Sequence, residues 1–299
     1  MMRLLHAELR RFLARDVVRV FVIAVLIAMA VGSVIAAVNS RQSDTSEEYR
    51  SQLQQCLDGL FVPENRLPRR YDSLEEFCAE QVRPEHFASD TRFELSFLPE
   101  VLTGSAFLVV IGGLLLGASF VGAEWHHGTM TTLLAWEPRR MRVLAAKALV
   151  AAVGVLLVMT FLLVVFAVLL WVVAEVRGIT SDPGPHFLRS LVGTILRIAA
   201  CSSAGALVGL GIAMLARSTA AAVGIGFAYL GLVEGLIRGL RPGWQPYLLA
   251  DNIAVVITGA DSGIMQDPVT FTHAVVTVAI WSAALLGAAA VSFRVRDVN

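Results

Sequence analysis

Few residues in this chain are of types that do chemistry, and they are widely spaced. Glu124 stands beside His126 and His127 in the stretch GASFVGAEWHHGTMTTLLAWEPRRMRVLAAK, residues 117–147. A carboxylate and two imidazoles are metal-ligand types, but adjacent side chains on a helix diverge by about 100° and rarely share an ion. Two solvated imidazoles are the better reading. Glu124 is read as an ion-pair anchor for this stretch, with Arg10, Arg11 or Arg140 as its partner; the alternative is a carboxylate in interfacial water. Arg197 interrupts an apolar run, and an intramembrane charge marks a functional position by default. It either faces a substrate path, pairs with Glu175 or Glu234, or snorkels outward from a span that begins at Ile198. Glu234 and Arg238 are four apart, which allows an ion pair on one helix face. They are read as solvated charges at an outer helix end, with an outer gate as the alternative. A phosphate-binding loop requires Gly-Lys-Ser/Thr. The one lysine, Lys147, lies between Ala146 and Ala148, so no such loop is present. No catalytic, cofactor-binding or metal-binding residue is assigned.

These residues are embedded in a very apolar chain. Of 299 residues, 56% are hydrophobic and 16% charged, with mean hydropathy +0.69; soluble domains carry about 25% charged residues. The net charge is zero, which offers no basic surface for nucleic acid. Charge-free apolar runs occupy 20–38, 101–123, 148–174, 198–216, 218–233 and 268–293. A helix needs about 20 apolar residues to cross the hydrocarbon, and continuous rather than alternating runs imply helices. The expected fold is an all-α integral membrane protein with spans at 17–38, 99–123, 148–174, 190–216, 218–238 and 268–293. The first apolar run continues past Ala28-Met29-Ala30, so it is read as an uncleaved anchor rather than a signal peptide.

Arginine and lysine set the expected orientation. The N-terminal segment holds Arg3, Arg10, Arg11, Arg15 and Arg19; Arg139, Arg140, Arg142 and Lys147 follow the second span, Arg217 follows the fourth, and Arg294 and Arg296 follow the sixth. All fall on one side, read as cytoplasmic, which places both termini there. The opposite side receives segment 39–98, with seven Arg against twelve Asp or Glu. This extracytoplasmic insertion is expected to be small and helical, with one helix near 46–57 and another opened by the capping box Ser73-Leu74-Glu75-Glu76. Cys56 and Cys78 lie in it, on the side where disulfides persist, and are expected to pair. Cys201 lies within a span and is read as a small core residue. Segment 175–189 reads as a turn. In 239–267, Trp244 and Tyr247 suit a membrane interface, and the amphipathic stretch 248–257 is expected to lie flat at the outer surface or to form part of a re-entrant segment.

The connection 124–147 is the most informative. Gly128-Thr129 breaks the helix that ends near Glu124, a short apolar-faced helix follows, Pro138 stops it, and Arg139 to Lys147 opens the next. A short helix is thus held across one membrane face between two spans, exposing an apolar ridge that needs cover. The pattern Glu124, Gly128-Thr129, Leu133-Leu134, Pro138, Arg140, Leu144, Lys147 resembles the coupling-helix region of ABC transporter type-2 (export) permeases. The six spans and cytoplasmic termini agree. The basic, amphipathic segment 1–16 resembles the family's elbow helix, the large outer loop resembles that of actinobacterial-type members, and the tail Phe293-Arg294-Val295-Arg296-Asp297-Val298 in 294–299 resembles the family's F-x-R-R-D ending, with Val295 in place of one Arg.

The resemblance implies a division of labour. The chain is expected to be a non-catalytic permease that dimerises with a second copy or a paralogue. Cytoplasmic ATPase subunits holding ATP and Mg are expected to dock on the coupling segment through Glu124, Gly128, Thr129, Thr132, Leu133, Leu134, Pro138, Arg139, Arg140 and Lys147. Closure of those subunits would push an amphiphilic substrate (lipid, peptide or drug) outward. Independently of any family, the basic N-terminal stripe predicts contact with anionic membrane lipids. Gly205, Gly209 and Gly211, with Gly224 and Gly226, are expected at helix interfaces. The competing function is a membrane-embedded sensor or scaffold that reports an extracytoplasmic ligand or envelope protein to a cytoplasmic ATPase. An ion-driven carrier is disfavoured because the spans hold few carboxylates.

Overall fold

A computed structural model describes residues 2–40, 46–58, 71, 73–82, 92–180, 184–259 and 269–295. The described residues are helical, apart from turns and one isolated bridge between Glu94 and Ile179. Among the described residues, six helical segments are long and apolar enough to cross a membrane: Asp16–Asn39, Leu95–His126, Arg140–Arg177, Phe187–Ala216, Thr219–Leu240 and Phe271–Val295, as in a multi-pass membrane protein. In chain order the helices are α1 Met2–Ala14, α2 Asp16–Asn39, α3 Ser46–Leu57, α4 Leu74–Gln81, α5 Leu98–His126, α6 Thr129–Trp136, α7 Arg140–Arg177, α8 Phe187–Ala216, α9 Thr219–Ala228, α10 Glu234–Leu240, α11 Leu249–Thr258 and α12 Phe271–Val295. The fifth span is not one regular helix, because a π turn at Tyr229–Val233 separates α9 from α10. The tail beyond Val295 lies outside the described residues, as do much of the loop joining α3 to α4 and residues 260–268 of the outer segment.

The chain divides into two compact units. The larger comprises Met1–Val31, Ser96–Leu169 and Pro183–Asn299, and its centre is the pair α5 and α8. Glycine makes this pair possible. A Cβ on Gly113 would meet the carbonyl of Ser202, one on Gly117 the carbonyl of Ala206, and one on Gly209 the carbonyl of Leu114. Backbones therefore touch where side chains would otherwise hold them apart, the small-residue packing that membrane helices favour. Gly205 faces Val110 at the same seam, Gly211 meets Leu285 of α12, and Gly226 meets Leu114. Gly224 faces open space, so that expectation is corrected; Gly113 and Gly117 are the seam residues that sequence reading passed over.

The smaller unit comprises Gly32–Leu95 and Leu170–Asp182. Within it α3 and α4 are joined by the Cys56–Cys78 disulfide. Both cysteines are buried with Val82, against Tyr49, Leu53, Leu57, Leu74 and Phe77. The Ser73 hydroxyl accepts the Glu76 N–H and caps α4 as expected. Such a bridge is worth about 3 kcal/mol by the loop it closes, a large share of what a pair of short helices can hold. The Ser40 hydroxyl ties the rest together, accepting from the Phe93 N–H at 2.8 Å and donating to the Arg177 carbonyl at 3.0 Å.

Candidate functional site

Helix α1 carries Leu5, Leu9 and Phe12 against basic residues, with one acid, Glu8, among its apolar positions. Phe12 is fully buried and meets Phe120 of α5 edge-on at 5.3 Å. Gly154 of α7 makes room for it, since a Cβ there would press on the Phe12 ring. This docking carries Glu8 to Lys147, the lysine about two turns into α7, and both are completely buried.

The result is a buried ion network. The Lys147 ammonium lies 2.9 Å from Glu8 Oε2, 2.9 Å from Glu124 Oε1 and 2.7 Å from Glu124 Oε2. The Arg15 guanidinium, at the junction of α1 and α2, donates to Glu124 Oε1 at 3.0 Å and to the Ser119 carbonyl at 2.8 Å. Arg11 completes the set against Glu8 Oε1 at 3.2 Å. The Phe120 ring lies beneath both central cations, 4.9 Å from Arg15 Cζ and 5.1 Å from Lys147 Nζ, where the ring quadrupole favours positive charge. Burial pulls the Arg15 guanidinium below its ordinary value, while Glu124 and Glu8 oppose that pull.

The network fixes the position of α6. Glu124 is the last buried residue of α5, and the chain then turns at Gly128 with φ +68°, a conformation that glycine adopts without cost. The Thr131 hydroxyl donates to the Gly128 carbonyl at 2.7 Å, and that of Thr129 to the Glu124 carbonyl at 3.4 Å. Met130 and Leu133 face inward, Leu134 is half-buried, and Trp136 is 86% exposed. Beside α6 opens a cleft of about 750 Å³ lined by Arg11, Arg15, Glu124, Thr132, Leu133 and Trp136. Pro138 and Arg139 are exposed, and Arg140 donates to the Phe293 carbonyl at 3.0 Å.

The anchor on Glu124 is therefore real, but its expected partners are corrected. Arg11 pairs with Glu8, Arg140 reaches α12, and Arg10 is exposed with no partner among the described residues. Arg15 and Lys147 hold Glu124 instead, because the turn between α1 and α2 brings Arg15 over the end of α5. Glu8 escaped sequence reading; its signal was a lone acid on the apolar side of a basic helix. His126 and His127 are exposed with rings 5.2 Å apart, and no group of three metal-ligating side chains occurs among the described residues.

The intramembrane charges have a different task. Glu234 is fully buried and accepts the N–H groups of Leu249 and Ala250 at 2.9 and 3.1 Å. It thereby caps the N-terminus of α11. Arg238 pairs with Glu234 at 3.2 Å and with Asp251 at 2.8 Å. At the other end, Arg197 donates to the Ile257 carbonyl and to the Thr194 hydroxyl, each at 3.1 Å. An acid at the N-terminus and a cation at the C-terminus both complement the helix dipole. So Arg197 neither snorkels nor pairs with Glu175 or Glu234, and Glu234 is not a solvated helix-end charge. Nor does α11 lie flat at a surface: Leu249, Ile253, Val255, Val256 and Ile257 are buried, against α12, α8 and α5.

Gly259 ends α11 with φ +68°, and its missing side chain leaves the space that the Arg197 guanidinium fills. Gly259→Ala is expected to cost about 1–3 kcal/mol from backbone conformation alone, with the clash added. In thermal unfolding of the purified chain, Arg197→Ala combined with Gly259→Ala should cost less than the sum of the two single changes. Strict additivity would show that Arg197 does not occupy that space. Cys201 is a buried free thiol in α8, as its apolar setting suggested. No protein-family model, curated protein sequence or solved structure matches this chain.

Proposed function

We propose that this chain is the membrane permease subunit of an ATP-driven ABC exporter of the type-2 class, seated in the cell membrane with both termini cytoplasmic. A separate ATPase subunit carries ATP and Mg, and the permease, itself non-catalytic, passes the resulting motion to an amphiphilic substrate such as a lipid, peptide or drug. The observation that carries this reading is the buried network around Lys147. It locks α1, the end of α5 and the start of α7 into one body, with α6 mounted on it and Trp136 projecting outward. In this reading α1 is the elbow helix and α6 the coupling helix. A push on α6 then moves two spans together, because neither can shift without breaking buried ion pairs. Closure of two ATPase subunits biases a dimer of permeases, of like or paralogous chains, between two arrangements.

The test addresses the exposed side of α6, since Leu133 and Met130 face inward and changing them would disturb packing. Trp136→Asp should leave the thermal midpoint of the permease unchanged. It should lower the ATPase subunit retained in a gentle-detergent pull-down at least tenfold, the effect of losing one aromatic anchor at an interface. Full retention of that subunit would sink the docking role of α6. The sensor or scaffold reading draws on the disulfide-joined pair α3–α4, which has its own small core. Reconstitution separates the two: an exporter moves an amphiphile across vesicles on ATP addition, and a sensor does not.

A further inference from the structure

A groove of about 860 Å³ runs between α1 and the start of α7, lined by Leu5, His6, Leu9, Arg10, Leu149 and Val153 among others. Its size is that of a small-molecule site. Its walls are almost wholly apolar, and Leu149 and Val153 are 49% and 42% exposed on a helix that is long and apolar enough to cross a membrane. Its rim carries one guanidinium and one imidazole. His6 and Arg10 are one helical turn apart, both exposed, and neither has a partner among the described residues. Their neighbours differ: Arg11 is paired with Glu8, and Arg15 with Glu124. The one acid described on α1, Glu8, is buried against Lys147, and no acid lines the groove among the described residues.

An apolar slot with an unpaired guanidinium and an imidazole at its rim has the two-part chemistry of an anionic phospholipid. We propose that this groove binds one such lipid, with an acyl chain between α1 and α7 and the phosphate at Arg10 and His6. The bound lipid would fill the space between an amphipathic helix and the span beside it, and so hold α1 in the position that the Glu8–Lys147 contact requires. This inference does not rest on the exporter reading; it needs only the helices and their place in a membrane.

The experiment is native mass spectrometry of the full-length chain in detergent, titrated with phosphatidylglycerol or phosphatidylcholine of the same acyl chains. Detergent removes the diffuse surface potential of a bilayer, so what remains is local. The wild-type chain should retain one phosphatidylglycerol in preference to phosphatidylcholine. Arg10→Gln should weaken that retention about fivefold, the contribution of one basic residue near an anionic headgroup, and Arg10→Glu more. Arg142→Glu, an exposed basic residue away from the groove, should change it less than about twofold. Val153→Trp, which fills the slot without altering charge, should reduce retention of the lipid. Each variant is checked for an unchanged helical spectrum and elution volume. Equal retention of the two lipids, or equal losses in the Arg142 and Arg10 variants, would overturn the site. So would displacement of the lipid by free glycerol phosphate, which has the headgroup charge and no chain.

Discussion

Lys147→Met lowers the thermal midpoint of the detergent-solubilised chain by about 5–15 °C, the counterpart of about 3–5 kcal/mol. The size follows from burial. Lys147 is fully buried, and its two carboxylate partners, Glu8 and Glu124, have side chains 1% and 9% exposed. Desolvating three charges is costly, and only their mutual contact offsets it. Removing the ammonium leaves both carboxylates in place with their shared partner gone, while Arg11 and Arg15 reach only one each. The same accounting makes a rescue. Lys147→Met with Glu8→Gln removes one cation and one anion together and should recover much of the lost midpoint, although Glu8→Gln alone is destabilising. A Lys147→Met chain that melts with the wild type would show that the network contributes nothing net. If the exporter reading holds, the same variant loosens the mount of α6, so ATPase stimulation by substrate should fall even where ATPase binding persists.

Gly117→Ala destabilises the bundle, whereas Gly224→Ala does not. The two residues look alike in the sequence, each a glycine in an apolar run. A Cβ at Gly117 would fall on the Ala206 carbonyl, and a Cβ at Gly224 would meet nothing within 4 Å. Overpacking usually costs about 1–3 kcal/mol when a neighbouring side chain can turn aside. Here the neighbour is backbone, so α5 and α8 must separate along their seam, and the cost should reach or exceed that upper figure. At Gly224 the alanine gains up to about 1 kcal/mol of helix propensity. The measurement is the midpoint and monodispersity of the two purified variants side by side. Equal midpoints would mean that the α5–α8 approach is looser than these helices show.

Much of the architecture was legible in the residue order because membrane insertion reads local quantities. Run length and absence of charge are one-dimensional, and they located the six long apolar helices and the short helix before Pro138. The Ser73 cap and the pairing of Cys56 with Cys78 were legible for similar reasons, one set by three-residue spacing and the other by two cysteines confined to one polar segment. The sites were legible only in part. Arg197 stood out as a charge inside an apolar run and Glu124 as an ion-pair anchor, since such charges are visible without a structure; the burial of Lys147 and of Glu234, read as a solvated helix-end charge, was not visible.

Their partners were not visible. Glu124 is held by residues 109 positions before it and 23 after it, and Arg197 caps a helix end 60 residues downstream. No local pattern encodes such pairings. They follow from the seam at Gly113, Gly117 and Gly209, which sets how deeply α5 and α8 approach, and from Phe12 seating on Phe120, which carries Glu8 to Lys147. The order of residues thus settled which segments leave water and which charges must find compensation, because transfer from water to hydrocarbon acts residue by residue. Which charge compensates which was settled by helix packing, because a buried ion pair needs contact at about 3 Å, and contact between distant segments exists only once the helices are in place.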